Sequence, residues 1–126
     1  MMLSGGGLSD QDPLRYYGRA GQTVDPYFGG FPTVYNSGDV DFNLFVASDS
    51  APFNGVTSWT FGDMADLNTC VWWFDGNPLL ATEQRLITPV FTDTYYSFPT
   101  RFTFPTNYTG GTFFMRAVLY AEPIDG

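Results

Sequence analysis

The chain has 126 residues and a net charge of −8, set by 13 carboxylates against five arginines, with no lysine and no histidine. That length suits one compact domain, and that charge repels nucleic-acid phosphates and anionic lipid surfaces, which leaves neutral or basic protein surfaces as expected partners. A single cysteine, Cys70, excludes an intrachain disulfide and a thiolate zinc site, and no stretch approaches the roughly 18 apolar residues of a membrane helix.

Residues 1–33 differ from the rest. Gly5, Gly6, Gly7, Gly18, Gly21, Pro13, Pro26 and Pro32 interrupt every run before a period can establish itself. The first seven residues lack the positive and apolar regions of a signal peptide, so synthesis and folding in the cytoplasm are expected. Yet Leu8, Leu14, Tyr16, Tyr17, Tyr27, Phe28 and Phe31 give the segment too much apolar area for a solvated tail. It reads as an extended arm that docks, either on its own domain or on a neighbouring subunit. The candidate partner-binding residues are Tyr16, Tyr17, Tyr27, Phe28 and Phe31.

Residues 34–126 form the expected domain, dense in β signals. Val40, Phe42, Leu44 and Val46 alternate with Asp41 and Asn43, as a half-buried strand requires. Asp49-Ser50 reads as a turn, and Pro52-Phe53-Asn54-Gly55 as a second, because Asn-Gly tolerates positive φ. Residues 56–61 are the next strand, and 62–68 an Asp-rich loop. Cys70, Trp72 and Phe74 face one side of the strongest apolar run, Val71 and Trp73 the other, before Asp75-Gly76-Asn77-Pro78 turns the chain. Only 79–86 has helical character, since Glu is limited to Glu83 and Glu122 while Phe, Tyr, Thr and Val abound. Residues 85–91 and 95–98 are weaker strands, and Phe102 and Phe104 alternate with Arg101 and Thr103 up to Pro105. Asn107-Tyr108-Thr109 matches a glycosylation pattern and reads as an ordinary turn. The longest period-2 pattern, 112–121, sets Phe113, Met115, Ala117, Leu119 and Ala121 against Phe114, Arg116, Val118 and Tyr120, and reads as a central strand. Short strands about ten residues apart, joined by Gly and Pro turns, specify an all-β fold: an antiparallel β-sandwich, Ig-like or jelly-roll-like, with an extended irregular N-terminal arm.

Chemistry is sparse. Without histidine or lysine there is no Ser-His or Cys-His pair, no Schiff base and no Ser-Lys dyad. No nucleophile elbow, phosphate-binding loop or dinucleotide fingerprint occurs. Most Asp residues sit beside Gly, Asn, Pro or Ser, where a short carboxylate bonds nearby backbone in turns. A carboxylate hydrolase using Glu83 and Glu122 is the residual catalytic reading. Asp39, Asp41, Asp63 and Asp66 offer oxygen ligands without an EF-hand loop, and no cofactor or metal is expected. The excess lies in rings: 13 Phe, 8 Tyr and 3 Trp. A small interior cannot hide them all, and Tyr and Trp favour interfaces because they join large apolar area to one polar tip.

Val71-Trp72-Trp73-Phe74-Asp75-Gly76-Asn77-Pro78-Leu79, then Phe102-Thr103-Phe104-Pro105 and the 111–120 stretch, resembles an immunoglobulin-like module, although that family's paired cysteines are missing. In organisation the chain also resembles small capsid decoration (cement) proteins of tailed bacteriophages: a short chain, a Gly- and Pro-rich arm and one acidic, aromatic-rich β domain. This second resemblance implies a non-enzymatic virion protein bound to a lattice of capsid protein, a homo-oligomer with trimeric clustering at local threefold positions, and no nucleic-acid or membrane partner. The alternative is a carbohydrate-binding or adhesin-type module with Trp59, one of Trp72 and Trp73, or Tyr95-Tyr96 as its platform.

Overall fold

The computed structural model describes residues 2–4, 8–9, 12–27, 32–80 and 85–124. Its strands run in chain order as β1 (Met2–Ser4), β2 (Leu8–Ser9), β3 (Asp12–Pro13), β4 (Thr23–Val24), β5 (Thr33–Tyr35), β6 (Phe42–Phe53) and β7 (Thr60–Phe61). They continue as β8 (Thr69–Phe74), β9 (Asn77–Pro78), β10 (Arg85–Val90), β11 (Tyr95–Ser97), β12 (Thr100–Thr103) and β13 (Phe114–Pro123). The fold is all-β, with antiparallel sheets packed as a β-sandwich and no helix among the described residues. One layer is β10-β6-β13; the other is β4-β12-β8-β7 with β9 on β8; β1-β5-β11 is a third, smaller sheet. Among the described residues only β7 and β8 run parallel.

One core joins these layers. Phe42, Leu44 and Val46 of β6 enter it together with Cys70, Trp72 and Phe74 of β8, along with Phe98 and Phe102. The alternation on β6 starts one step later than its sequence pattern suggests: Val40 lies in the bend before the strand and is 52% exposed. Val71 is also buried, on the opposite face of β8 from Trp72, so this strand is covered on both sides. Asp75-Gly76 forms the expected tight turn: φ is +53° and +80° at its two residues, and Phe74 pairs with Asn77. Positive φ at both central positions is the type I′ geometry that follows the twist of a hairpin. Asn54 also turns the chain as expected, its Oδ1 accepting from the N–H groups of Val56 and Thr57.

Four expectations change. Asp49-Ser50 is no turn, because β6 continues through it without reversing. Ser50 opposes Arg116 and Ser48 opposes Ala117, so Asp49 is an extra residue in the ladder; another extra residue separates Ser50 from Phe53. Bulges absorb the local turn preference and bend the strand, and Pro52, with no N–H to offer, sits within the second one. The 56–61 strand shrinks to β7 and one bridge at Ser58, while Val56 lies exposed in the turn. Among the described residues β13 lies at the edge of its sheet, with β6 in the centre. Its length reflects one long partner rather than two neighbours. As for the helical stretch 79–86, Leu86 belongs to β10 and Leu79 is a non-helical core residue; 81–84 lie outside the described residues.

Part of the arm belongs to the domain. Residues 14–18 alternate inward and outward, with Leu14 and Tyr16 against the core and Arg15 and Tyr17 outward. β4 pairs with β12, and Thr23 and Thr103 share a hydroxyl hydrogen bond of 2.7 Å. Gly18 permits this docking by close approach: a Cβ there would lie 2.5 Å from the Phe104 ring.

Asn36 ties the sheets together. It is 1% exposed, and its Nδ2 donates to the carbonyls of Val40 (2.9 Å) and Val90 (3.0 Å) while its Oδ1 accepts from Gly38 N–H (2.9 Å). A buried amide is tolerated only when satisfied in this way.

Candidate interaction surface

Tyr16 anchors the arm. Its hydroxyl lies 2.5 Å from Thr100 Oγ1 and accepts from Trp72 Nε1 at 3.0 Å, while its ring packs against Phe102. Burial pushes the phenol up to about 12, against hydrogen bonds that act the other way. Expected to reach a partner, Tyr16 instead faces inward, because its polar tip is satisfied inside the domain.

Tyr17 and Tyr27 remain on the surface, 63% and 62% exposed, with their rings edge-to-face at 4.9 Å. Phe28 and Phe31 lie outside the described residues. Beside Tyr17 a cleft of about 470 Å³ opens between 14–18 and 111–117. Trp59, Trp72, Phe102 and Phe104 line its floor, and Tyr17 and Phe114 stand among its margins. Phe114 is 76% exposed and opposes Phe53, itself 48% exposed, across the β6–β13 ladder. Two pairs of exposed rings, Tyr17 with Tyr27 and Phe114 with Phe53, thus each have one member lining the same apolar opening.

The solvent face of the β10-β6-β13 sheet adds an apolar row. Leu86 opposes Phe45, which opposes Tyr120, so an apolar side chain from each of the three strands lies across the sheet. Leu86 and Tyr120 are 46% and 41% exposed. No sequence pattern named this row, because it depends on which strands are neighbours.

The sugar-platform candidates divide. Trp59 and Trp72 are buried, and Trp73 is half-buried with its indole N–H donated to Thr103 Oγ1. Tyr96 is half-buried and donates to Asp75. Tyr95 is exposed, but it stacks on Tyr35 at 4.3 Å rather than pairing with Tyr96. Tyr35 donates to Asp93, whose carboxylate holds the phenol proton on and raises its pKa.

The carboxylates do not assemble. Among the described residues no three acidic or cysteine side chains come close enough to hold a metal. Asp41 Oδ1 accepts from Thr92 N–H, and Asp66 Oδ1 from Leu67 N–H, which are loop-shaping roles. Glu122 is exposed on β13, and Glu83 lies outside the described residues. Cys70 is fully buried, and burial raises its thiol to about 12, which leaves it a packing group rather than a nucleophile. Asn107 is held in its turn by Asn68: its Oδ1 accepts from the Asn68 backbone N–H and its Nδ2 donates to Asn68 Oδ1.

Compared with known protein families, curated proteins and solved structures, the chain matches none.

Proposed function

We propose that this protein is a non-enzymatic structural component that docks onto a larger protein assembly by burying its exposed rings. A virion is the assembly its organisation resembles, with the chain as a capsid decoration protein. The observation that carries the reading is the set of exposed rings beside an open apolar cleft: Tyr17 and Tyr27 on one side, Phe53 and Phe114 on the other. A protein of this size gains nothing in isolation from hydrated rings, and exposed contiguous apolar patches mark interfaces. Burying one aromatic side chain is worth about 1.5–3 kcal/mol before ordering costs. The missing histidine and lysine support the non-enzymatic part.

The test is whether the chain co-purifies with assembled virus particles and rebinds to particles stripped of it. Tyr17→Ser/Tyr27→Ser should fold normally and lose rebinding. A chain that stays in the soluble fraction, or a variant that rebinds as well as the wild type, refutes the proposal. Removing residues 1–33 is a poor substitute, because it takes away Tyr16 and β4.

The Tyr35–Tyr95 stack favours a second reading, a carbohydrate platform with Asp93 as its polar neighbour. A glycan array answers it: binding lost in Tyr95→Ala supports the reading, and no binding to any glycan dismisses it.

A further inference from the structure

The free edge of β13 points beyond docking to a second copy of this chain. Among the described residues β13 pairs only with β6, so the N–H and C=O groups of its other edge have no strand beside them along a 10-residue element. An edge this long templates pairing unless charge, proline or a bulge blunts it. Its one proline, Pro123, is the last residue of the strand, and its charges are Arg116 and Glu122, three residues either side of Leu119 and on the same outward face.

That spacing is self-complementary. Set antiparallel to itself with Leu119 opposite Leu119, β13 places Arg116 opposite Glu122 at both ends of the pairing. The same register sets Val118 against Tyr120 and brings Phe114 to Ile124, which is 38% exposed. On the inward face Ala117 meets Ala121. Moving the axis by one residue either way puts Arg116 opposite Tyr120 or Ile124 and loses both ion pairs. Opposite charges directly across a ladder stabilise it and like charges destabilise it, so the pattern selects one register. Arg116 also lies 3.7 Å from Asp49 on its own sheet, in an exposed pair. On the solvent face the pairing would extend the Leu86–Phe45–Tyr120 row across the axis to the second copy's Val118.

We propose that the free edge of β13 pairs antiparallel with the same edge of a second copy, on a two-fold axis through Leu119, joining the two three-stranded sheets into one of six strands. Roughly ten backbone hydrogen bonds would form along such a ladder. The pairing shares only Phe114 with the docking reading, whose Tyr17 and Tyr27 it leaves uncovered, so the variants at those two rings test docking separately.

Sedimentation equilibrium of the full chain tests it. The wild type should be a dimer. Arg116→Glu and Glu122→Arg should each weaken it about tenfold or more, and the double exchange, Arg116→Glu with Glu122→Arg, should restore it while near-ultraviolet dichroism shows all three folded. Leu119→Cys should oxidise to a self-linked dimer, whereas Ala117→Cys should link only to Ala121→Cys. A monomer at every concentration, an association indifferent to the charge reversals, or a Leu119→Cys chain that fails to link would each overturn the proposal.

Discussion

Removing one oxygen from Tyr16 tests whether the arm is part of the domain. Tyr16→Phe keeps the ring against Phe102 but deletes the hydroxyl that joins Thr100 Oγ1 and receives the Trp72 N–H. Two hydrogen bonds at a net value of about 1 kcal/mol each, with an indole donor left unpaired in a largely dry site, give a loss of about 2–3 kcal/mol at neutral pH. The deficit should then shrink in alkali. The unfolded phenol ionises near pH 10, whereas the folded one keeps its proton to about 12. The folded state therefore binds more protons across that interval, and the stability Tyr16 contributes is complete below pH 10 and is lost as pH rises through 12. Two pH units correspond to about 2–3 kcal/mol, so the two proteins should approach equal stability near pH 12. The raised phenols of Tyr35 and Tyr96 lower both stabilities alike and cancel in the difference. Urea unfolding followed by tryptophan fluorescence from pH 7 to pH 12 measures this. A variant within about 0.5 kcal/mol of the wild type at neutral pH, or a gap that does not narrow above pH 10, would refute the docked arm.

Asn36→Leu should cost about 3 kcal/mol in urea unfolding at unchanged m, since the Val90 carbonyl beneath it loses its partner where water cannot replace it; a cost below 1 kcal/mol would contradict that role. Gly18→Ala forces the arm off Phe104 or displaces the ring, and should lower stability by about 1–3 kcal/mol with increased proteolysis near residues 14–24; a neutral effect would mean the close approach is not needed. Cys70 should resist alkylation in the native protein and react on unfolding in urea; rapid native labelling would show the core open at β8.

The sequence was most informative where one residue type carries one geometry. Asp75-Gly76 dictates a turn with two positive φ angles, and Phe42, Leu44 and Val46 dictate an inward face on any strand that contains them. It was least informative about neighbours. Period-2 alternation in β13 shows that one face meets the core, but not whether one or two strands flank it, so an edge strand and a central strand look alike. Turn residues misled at Asp49-Ser50, because a bulge uses the same preference for irregular backbone without reversing the chain. In the arm a usable signal was present: Arg15 marks the outward face, so Tyr17 shares its side while Tyr16 follows Leu14 inward. The partition of rings between core and surface followed from tertiary placement. Trp59 and Trp72 found cover on the floor of the cleft, whereas Phe53 and Phe114 were left outside by the geometry of the β6–β13 ladder.

The central claim is that another protein covers the rings this chain leaves exposed. Hydroxyl-radical footprinting read by mass spectrometry, on the free protein and on the particle-bound protein, tests it directly. Tyr17, Tyr27 and Phe53 should oxidise readily in the free chain and be protected on assembly, with Tyr16 and Phe74 unreactive in both. Equal oxidation of those three rings in the two states would mean that no partner covers them.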